Sequence, residues 1–304
     1  MSRPAWPPRV TVVEVGPRDG LQNEASTIPI DARIRFVNEL AAAGLPVVEA
    51  AAFVSPRWVP QMAGAEAVAA GITRRKGTIY RALVPNLKGL DAARRSAFTE
   101  IAIFAAASET FSQQNINRSI ADSLAVYAEV CRGALDAGLR VRAYLSTAFG
   151  CPYEGLVPAA RVAELSERLL GMGAFEVAVS DTIGIAHPGQ VLDLLDVVAQ
   201  RLPLARVALH FHDTRGMAIA NVWAALSAGI ATFDASAGGL GGCPYAPGAA
   251  GNLATEDLIY LLDGLGIAHG VSLDGVVAAS RALAAHLDHP LPSRVYQAVQ
   301  SSRR

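Results

Sequence analysis

The chain has 304 residues, of which 52% are hydrophobic and 17% charged, so it carries enough apolar material for one large core, although this length also allows two domains. A formal net charge of −1 without a basic run argues against nucleic-acid binding, and no apolar stretch reaches membrane-spanning length without glycine, proline or a charge. Three cysteines without a Cys-x-x-Cys pair are typical of a reducing compartment, so we expect a cytoplasmic protein.

Three regions are predicted along the chain. Residues 1–9 contain three prolines and lack the apolar core of a secretory signal, so we expect a disordered lead-in. Residues 10–290 are predicted to form a single catalytic domain, and residues 291–304 a C-terminal tail.

Eight short β-branched segments are predicted to be strands, at residues 10–15, 46–50, 78–83, 100–105, 140–146, 174–180, 206–211 and 230–235. Segments rich in alanine and leucine predict helices at residues 31–43, 119–137, 158–172, 188–201 and 216–228. Four of these helices are followed by a glycine, which readily takes the left-handed conformation at a helix C-terminus, namely Gly44, Gly138, Gly173 and Gly229.

Strands that alternate with helices are parallel and joined by crossovers. Eight such units predict an α/β fold of the (β/α)8 TIM-barrel type, with extra C-terminal helices at residues 255–264 and 273–287. An open doubly wound sheet is the alternative. That fold usually carries a glycine-rich dinucleotide turn after the first strand, and residues 15–20 (VGPRDG) do not form one.

Active sites of such barrels lie at the C-terminal ends of the strands. Arg18 and Asp19 follow the first predicted strand, and Glu49 lies in the second. A buried carboxylate needs a partner, and Arg18 is the natural one. Arg142 in the fifth strand likewise implies an acidic partner or an anionic ligand. Asp181 and Thr182 end the sixth strand.

His210 and His212 are two residues apart on the seventh strand, so both side chains point to the same side of it. Two such imidazoles can bind one metal ion, but a core histidine beside a surface histidine explains the pair alone equally well. Asp19 and Asn252 add two oxygen donors. This mixed set suits Mg²⁺ or Mn²⁺, and zinc or cobalt can substitute.

A glycine-rich segment at residues 238–252 follows the eighth strand. It lacks the Gly-Lys-Ser/Thr of a phosphate-binding loop, so we expect a mobile lid that carries Cys243. Asn252, at its end, is either the N-cap of the next helix or a neutral metal ligand.

The chain resembles the 3-hydroxy-3-methylglutaryl-CoA lyases over residues 10–287. The resemblance rests on motifs that occur in the order of that family: VEVGPRDGLQNE at 13–24, FVSPRWVPQM at 53–62, GCPYEG at 150–155, DTIG at 181–184, HFHDT at 210–214, GLGGCPY at 239–245 and GNLATED at 251–257.

The resemblance implies a role for each matching residue. The divalent-metal ligands would be Asp19, His210, His212 and Asn252. Arg18 would be the catalytic arginine that stabilises an enolate, Glu49 would support it, and Cys243 would transfer a proton, with His210 also taking part. Candidate substrate-binding residues are Arg18, Gln22, Arg142, Asp181 and Thr182, and a weaker suggestion for coenzyme A is Asn115 and Asn117.

The implied reaction cleaves a 3-hydroxyacyl-CoA to acetyl-CoA and a keto acid, which is acetoacetate for 3-hydroxy-3-methylglutaryl-CoA, as in leucine degradation. We expect a homo-oligomer, a dimer or a tetramer. The chain departs from the family where hydroxyl side chains are usual, at Ala52 and Ala178, and carries Arg215 where tyrosine is common. Losing two hydroxyl groups near the acyl carboxylate predicts an altered or relaxed acyl specificity.

Three other functions compete with this one. A Claisen-type acyl transferase of the same barrel family would run the chemistry in reverse, but usually has a long C-terminal regulatory region. A Schiff-base aldolase needs a lysine in the site, and the chain has only Lys76 and Lys88. A barrel that only binds acyl-CoA would not need Arg18, Asp19 and Cys243.

Overall fold

A computed structural model describes residues 6–242 and 251–302. Eight parallel strands close into a barrel in which each strand pairs with its neighbours in the sequence, and β1 pairs with β8. The strands are β1 (Thr11–Glu14), β2 (Val47–Ala52), β3 (Ile79–Leu83), β4 (Glu100–Ala106), β5 (Arg140–Ser146), β6 (Glu176–Asp181), β7 (Val207–Phe211) and β8 (Thr232–Ala235). The predicted (β/α)8 TIM barrel is therefore confirmed, and the open sheet is not formed.

Helices surround this barrel. They are α1 (Ile30–Ala42), α2 (Ala65–Gly71), α3 (Leu87–Arg95), α4 (Glu109–Ile116), α5 (Ile120–Asp136), α6 (Ala159–Gly171), α7 (Pro188–Ala199), α8 (Ala218–Ser227), α9 (Thr255–Leu265), α10 (Leu273–Ala284) and α11 (Arg294–Ser301). The helices α2, α3 and α4 are short and are not among the predicted helices. Among the described residues, no helix has the length and apolar character needed to cross a membrane.

The predicted glycine C-caps are present, since Gly44, Gly138, Gly173 and Gly229 have φ angles of 96°, 74°, 103° and 89°. The four long helices before them therefore end where the sequence indicates, and each chain segment turns back into the barrel. Their apolar faces pack with the outward faces of the strands into one large core.

Residues 6–9 and 291–302, within the expected lead-in and tail, make defined contacts with the outer helices. Trp6 makes an edge contact with Trp223, with ring centroids 4.7 Å apart, and the backbone of Pro8 accepts a hydrogen bond from Ala268. Residues 291–302 contain α11, whose N-cap Ser293 donates to Asp257 on α9. Within the described residues, both segments are thus ordered by contacts with the last helices.

The barrel interior has an apolar floor and a charged middle. Val13, Val15 and Val47 form a separate buried cluster with Ile79. Charged side chains pair between neighbouring strands at Arg81–Glu100, Arg140–Glu100 and Arg142–Glu176, and across the barrel at Arg142–Asp234. Buried charges are tolerated only when paired, so this network leaves the polar groups of the barrel mouth held in defined positions.

Candidate metal centre and active site

Arg18 and Asp19 lie on one turn of π-helix, Gly16–Gly20, directly after β1. Such short π-helical turns are frequent at functional sites. The Arg18 Nε donates to Glu49 Oε1, the pair expected from the sequence, and its Nη1 donates to Asp19. Arg18 is only 4% exposed. Its guanidinium is therefore held between two carboxylates at the C-terminal mouth of the barrel.

Glu49 has a second anchor that the sequence analysis did not find. The hydroxyl of Tyr144 on β5 donates to Glu49 Oε2 at 2.8 Å, and the Tyr144 ring centroid lies 5.2 Å from the Arg18 guanidinium carbon. Both residues are fully or nearly fully buried. A polar ring two residues after Arg142 on a strand is the signal that would have pointed to Tyr144.

Three possible metal ligands converge beside Arg18. One ligand atom from each of Asp19, His210 and His212 lies within 4.8 Å of the others, and the two imidazole centroids are 5.3 Å apart. His210 Nε2 is 3.9 Å from Asp19 Oδ2. The two histidines therefore act from the same side of β7, as the alternation along a strand predicts.

Asn252 joins this group from a distant part of the chain. It forms an antiparallel β-bridge with His212, and its Nδ2 donates to Asp19 Oδ2 at 2.9 Å. The N-cap of α9 is Ala254, so the alternative role of Asn252 as a helix cap is excluded. Gly251 makes the approach possible, because a Cβ there would lie 1.9 Å from the carbonyl oxygen of Gly239.

The donor atoms fit a divalent cation. His212 Nδ1 and Asn252 Oδ1 are buried and have no hydrogen-bond partner among the described residues. Burial and the neighbouring His210 lower the pKa of His212 to about 4, so its imidazole is neutral at neutral pH. Burial opposes ionisation of Asp19, but Arg18, the two histidines and the hydrogen bond from Asn252 together lower the pKa of Asp19 to about 2. Neutral imidazoles and a carboxylate are the forms that bind metal.

His210 is supported from below by a carboxylate that the sequence analysis also missed. Its Nδ1 lies 3.2 Å from Asp234 Oδ2 on β8, and Arg142 donates to both oxygens of Asp234. The Arg142 Nε donates to Glu176. A carboxylate in the apolar strand TFDA was the same kind of signal that had singled out Glu49.

Arg142 was expected to contact substrate, and its environment argues for another role. Its side chain is 0% exposed and is paired with two carboxylates, the acidic-partner alternative of the sequence analysis. It therefore lies below the mouth, where it supports Asp234 instead of facing an open space.

The end of β6 is also occupied by contacts within the protein. Asp181 accepts hydrogen bonds from the backbone N–H groups of Ile185 and Ala186, and burial raises its pKa. Thr182 Oγ1 accepts from the backbone N–H of Thr147, a buried residue with a φ of 57°. Asp181 and Thr182 thus hold the loops around the barrel mouth. Their predicted contact with substrate stays a prediction.

The remaining predicted residues lie outside the cluster or outside the described residues. Gln22 is half-buried just after the π-helical turn. Asn115 and Asn117 are exposed at the end of α4, where Asn117 is the C-cap and accepts a hydrogen bond from Gln113. Cys243 and most of the expected lid lie outside the described residues.

Neither lysine is placed for Schiff-base chemistry. Lys76 is exposed in the connection before β3, and Lys88 is exposed on α3. A Schiff-base aldolase would need a lysine side chain in the barrel mouth, so this alternative is not supported.

Comparisons with known proteins agree with this geometry. The HMGL-like family matches residues 9–283. The hydroxymethylglutaryl-CoA lyase of Pseudomonas mevalonii is 51% identical over 278 residues, which cover 91% of this chain and 92% of that protein. The 3-hydroxy-3-isohexenylglutaryl-CoA/hydroxy-methylglutaryl-CoA lyase of Pseudomonas aeruginosa is 51% identical over 293 residues, which cover 96% and 98%.

Solved structures agree as well. The crystal structure of hydroxymethylglutaryl-CoA lyase from Pseudomonas aeruginosa superposes with a TM-score of 0.96 at 50% identity, and the match covers 98% of this chain and 99% of that one. The motifs, the barrel and the cluster at its mouth therefore have one common explanation: this chain belongs to the HMGL-like family.

Proposed function

We propose that this protein is a divalent-metal-dependent carbon–carbon lyase that cleaves 3-hydroxy-3-methylglutaryl-CoA to acetyl-CoA and acetoacetate. The observation that carries this proposal is the convergence of Asp19, His210 and His212 beside Arg18, in a chain about half identical to lyases of that name. The reverse, acyl-transfer reaction has no such support.

The bond between C2 and C3 of the substrate breaks when the C3 hydroxyl loses its proton. C3 then becomes the carbonyl carbon of acetoacetate, and the C2–C3 electron pair forms the enolate of the acetyl thioester. Protonation of C2 returns one proton, so the reaction consumes none overall. Asp19, His210, His212 and Asn252 would hold a Mg²⁺ or Mn²⁺ ion, which would supply a Lewis acid for that hydroxyl. Asp19 and His212 need no proton loss to bind it at neutral pH.

Arg18 has the right form to stabilise the enolate that results. Glu49 and Asp19 take hydrogen bonds from its Nε and Nη1, which leaves further N–H groups for the thioester oxygen. The adjacent carboxylates and Tyr144 raise the pKa of Arg18 despite its burial, so the guanidinium keeps its charge throughout the reaction. Preorganised donors of this kind contribute more than solvent water does, because they need no reorientation.

Cys243 is the proposed proton donor to the acetyl-CoA enolate, on the strength of the family resemblance. Its substitution to serine tests this role separately from the metal. We expect Cys243→Ser to lose most turnover and to retain Mn²⁺ and acyl-CoA binding. Unchanged turnover would remove Cys243 from the mechanism and leave the rest of it intact.

The direct test is acetyl-CoA release from 3-hydroxy-3-methylglutaryl-CoA by the purified protein with Mg²⁺ or Mn²⁺. We expect turnover, its loss after chelation by EDTA, and its recovery on addition of Mn²⁺. A double substitution of Asp19 and His212 to alanine is the matched control, and should not recover. Full turnover in the chelated protein would refute the metal-dependent function.

A wider acyl range is a second part of the proposal. Ala178 is fully buried on β6, in register with Tyr144 on β5, and Ala52 ends β2 with 1% exposure. Methyl groups at both places offer no hydrogen bond to a polar acyl substituent. The name of the relative from Pseudomonas aeruginosa includes a 3-hydroxy-3-isohexenylglutaryl-CoA substrate for that protein, which favours tolerance of a larger apolar group at C3.

The location of the protein, its oligomeric state and its coenzyme A contacts are further parts of the proposal. We propose a cytoplasmic homo-oligomer, a dimer or tetramer, which binds coenzyme A in part through Asn115 and Asn117 on α4. Cys131 and Cys151 are free and buried. Sedimentation velocity of the purified protein and coenzyme A binding by an Asn115→Ala/Asn117→Ala variant test these points.

A further inference from the structure

Asp234 is a buried carboxylate in contact with the proposed metal centre but without a ligand atom in it. It lies on β8 next to His210 on β7, and the two residues are Cα partners in the parallel register. The Asp234 side chain is 0% exposed, and its Oδ2 is 3.2 Å from His210 Nδ1. It is the only acid that contacts the Nδ1 of this imidazole within the described residues.

This contact selects one tautomer of His210. An ionised carboxylate can only accept hydrogen bonds, so the proton of a neutral His210 must reside on Nδ1. The lone pair then resides on Nε2, the nitrogen that lies 3.9 Å from Asp19 Oδ2. A histidine that binds metal through Nε2 needs this tautomer, and free imidazole side chains do not have it as their main form.

Asp234 cannot easily turn away from His210. Arg142 Nη2 donates to its Oδ1 at 2.8 Å and Arg142 Nη1 to its Oδ2 at 3.1 Å, so the carboxylate plane is held by a two-pronged contact. Arg142 is itself fixed through its Nε by Glu176 on β6, at 2.7 Å. A chain of four side chains on four neighbouring strands therefore ends at the metal-facing histidine.

We propose that Asp234 is a positioning residue for the metal centre, which holds His210 in the Nδ1–H tautomer with Nε2 directed at the cation, so that cation affinity depends on the Asp234 carboxylate. This inference rests on the proposed metal-dependent function. Loss of a carboxylate that supports a ligating histidine typically lowers metal affinity by about 10- to 100-fold.

The test is Mn²⁺ binding to the intact protein without substrate, followed by the electron paramagnetic resonance signal of free Mn²⁺. Asp234→Asn keeps the size of the side chain. Arg142 donates to both carboxylate oxygens, so in either orientation the new Nδ2 faces an Arg142 donor, and the negative charge that stabilises the His210 Nδ1–H is lost. We expect Mn²⁺ affinity to fall about 10- to 100-fold.

Glu100→Gln is the matched control. It also removes one buried negative charge from the barrel, but Glu100 pairs with Arg81 and Arg140 and does not contact Arg142, Asp234 or His210. We expect its Mn²⁺ affinity to stay within about threefold of the wild type, because no side chain that supports the metal ligands is changed. An equal loss in both variants, or no loss in Asp234→Asn, would overturn the positioning role. A wild type that does not bind Mn²⁺ would refute the proposed function itself, and this inference with it.

A second measurement needs no Asp234 variant and holds even if Asp234→Asn does not fold. Nitrogen-15 NMR of the Mg²⁺-loaded wild type, labelled at histidine, reports which ring nitrogen carries the proton, and a His210→Gln variant assigns the signal. We expect His210 to be protonated at Nδ1 and not at Nε2. The opposite pattern would overturn the inference.

Discussion

The Tyr144 hydroxyl on β5 donates a 2.8 Å hydrogen bond to Glu49 Oε2 on β2, so the carboxylate that holds Arg18 is itself held from across the barrel. The Tyr144 ring lies between two guanidinium groups, 5.2 Å from that of Arg18 and 5.0 Å from that of Arg142. One aromatic side chain therefore contacts both the proposed enolate-stabilising group and the network beneath the metal centre.

Tyr144→Phe should lower turnover without unfolding the protein. The substitution leaves Glu49 Oε2 buried without its donor, which costs about 1–3 kcal/mol of stability, and lets the Glu49–Arg18 pair shift. We expect kcat to fall by about tenfold, the scale of one lost hydrogen bond in the reacting geometry. Tyr127→Phe, at another buried tyrosine on α5, is the control. Equal kcat in the wild type and Tyr144→Phe would contradict this view of Glu49.

Arg18→Lys should lower turnover strongly, although the substitution keeps the positive charge. A lysine ammonium cannot contact Glu49, Asp19 and a substrate oxygen in one planar geometry. We expect kcat to fall by about 10²- to 10³-fold, the usual effect of losing a donor that stabilises a developing oxyanion. The exposed Arg206→Lys provides the comparison. Turnover within a few-fold of the wild type would mean that Arg18 acts by charge alone.

Asn252→Ala should weaken metal binding. Asn252 Oδ1 has no hydrogen-bond partner among the described residues, whereas Nδ2 donates to Asp19 and to the Leu240 carbonyl. We expect lower Mn²⁺ affinity and a higher Mn²⁺ requirement for turnover. Asn221→Ala is a strict control, because Asn221 is buried on α8 and its Oδ1 also lacks a partner in the described part of the chain. Identical Mn²⁺ affinities in the two variants would argue against Asn252 as a ligand.

Stability should decrease from pH 5 to pH 8 through Glu256. Burial raises its pKa from 4.5 to about 7, although hydrogen bonds from Ser280 and Gly238 oppose this. Since the folded pKa exceeds the unfolded one, the stabilising contribution is full below about pH 4.5 and is lost as the pH rises through about 7. Glu14 beside it behaves alike, with a pKa of about 7.

Glu256→Gln removes one of these titrations. We therefore expect the fall in Tm between pH 5.5 and pH 8 to be smaller in this variant than in the wild type, by thermal unfolding at matched ionic strength. The exposed Glu167→Gln should keep the wild-type slope. A steeper fall in Glu256→Gln would show that Glu256 is ionised in the folded protein across this range.

Ala178→Ser should shift acyl preference toward the more polar substrate. The added hydroxyl would lie in the barrel interior, where the nearest register neighbours are Tyr144 and Ala208. A buried hydroxyl without a partner disfavours an apolar acyl group, so the ratio of kcat/KM for the methylglutaryl thioester to that for a less polar 3-hydroxyacyl thioester should rise severalfold. A wild type that strictly prefers the methylglutaryl thioester would contradict the proposed wide acyl range.

The eight strands and the long helices could be predicted from local pattern alone. β-branched runs, helical periodicity and glycines at helix ends are short-range signals. Each of them favours a backbone conformation that depends mainly on residues close in the sequence. The pairing of Arg18 with Glu49 could also be predicted, since a carboxylate within an apolar strand must find a cation and the adjacent strand offered one. The short α2, α3 and α4 escaped because few residues carry each pattern.

Only the tertiary structure decided how distant polar residues come into contact. Asn252 lies 233 positions from Asp19 in the chain and reaches it because Asn252 forms a β-bridge with His212 at the end of β7. The register of β8 on β7 places Asp234 beside His210, and the closed barrel lets Arg142 on β5 reach the same carboxylate. The partner of Arg142 likewise depends on the tertiary structure. The sequence required that its buried charge be neutralised, but the choice between a substrate anion and the carboxylates of Asp234 and Glu176 depended on which strands face it across the barrel.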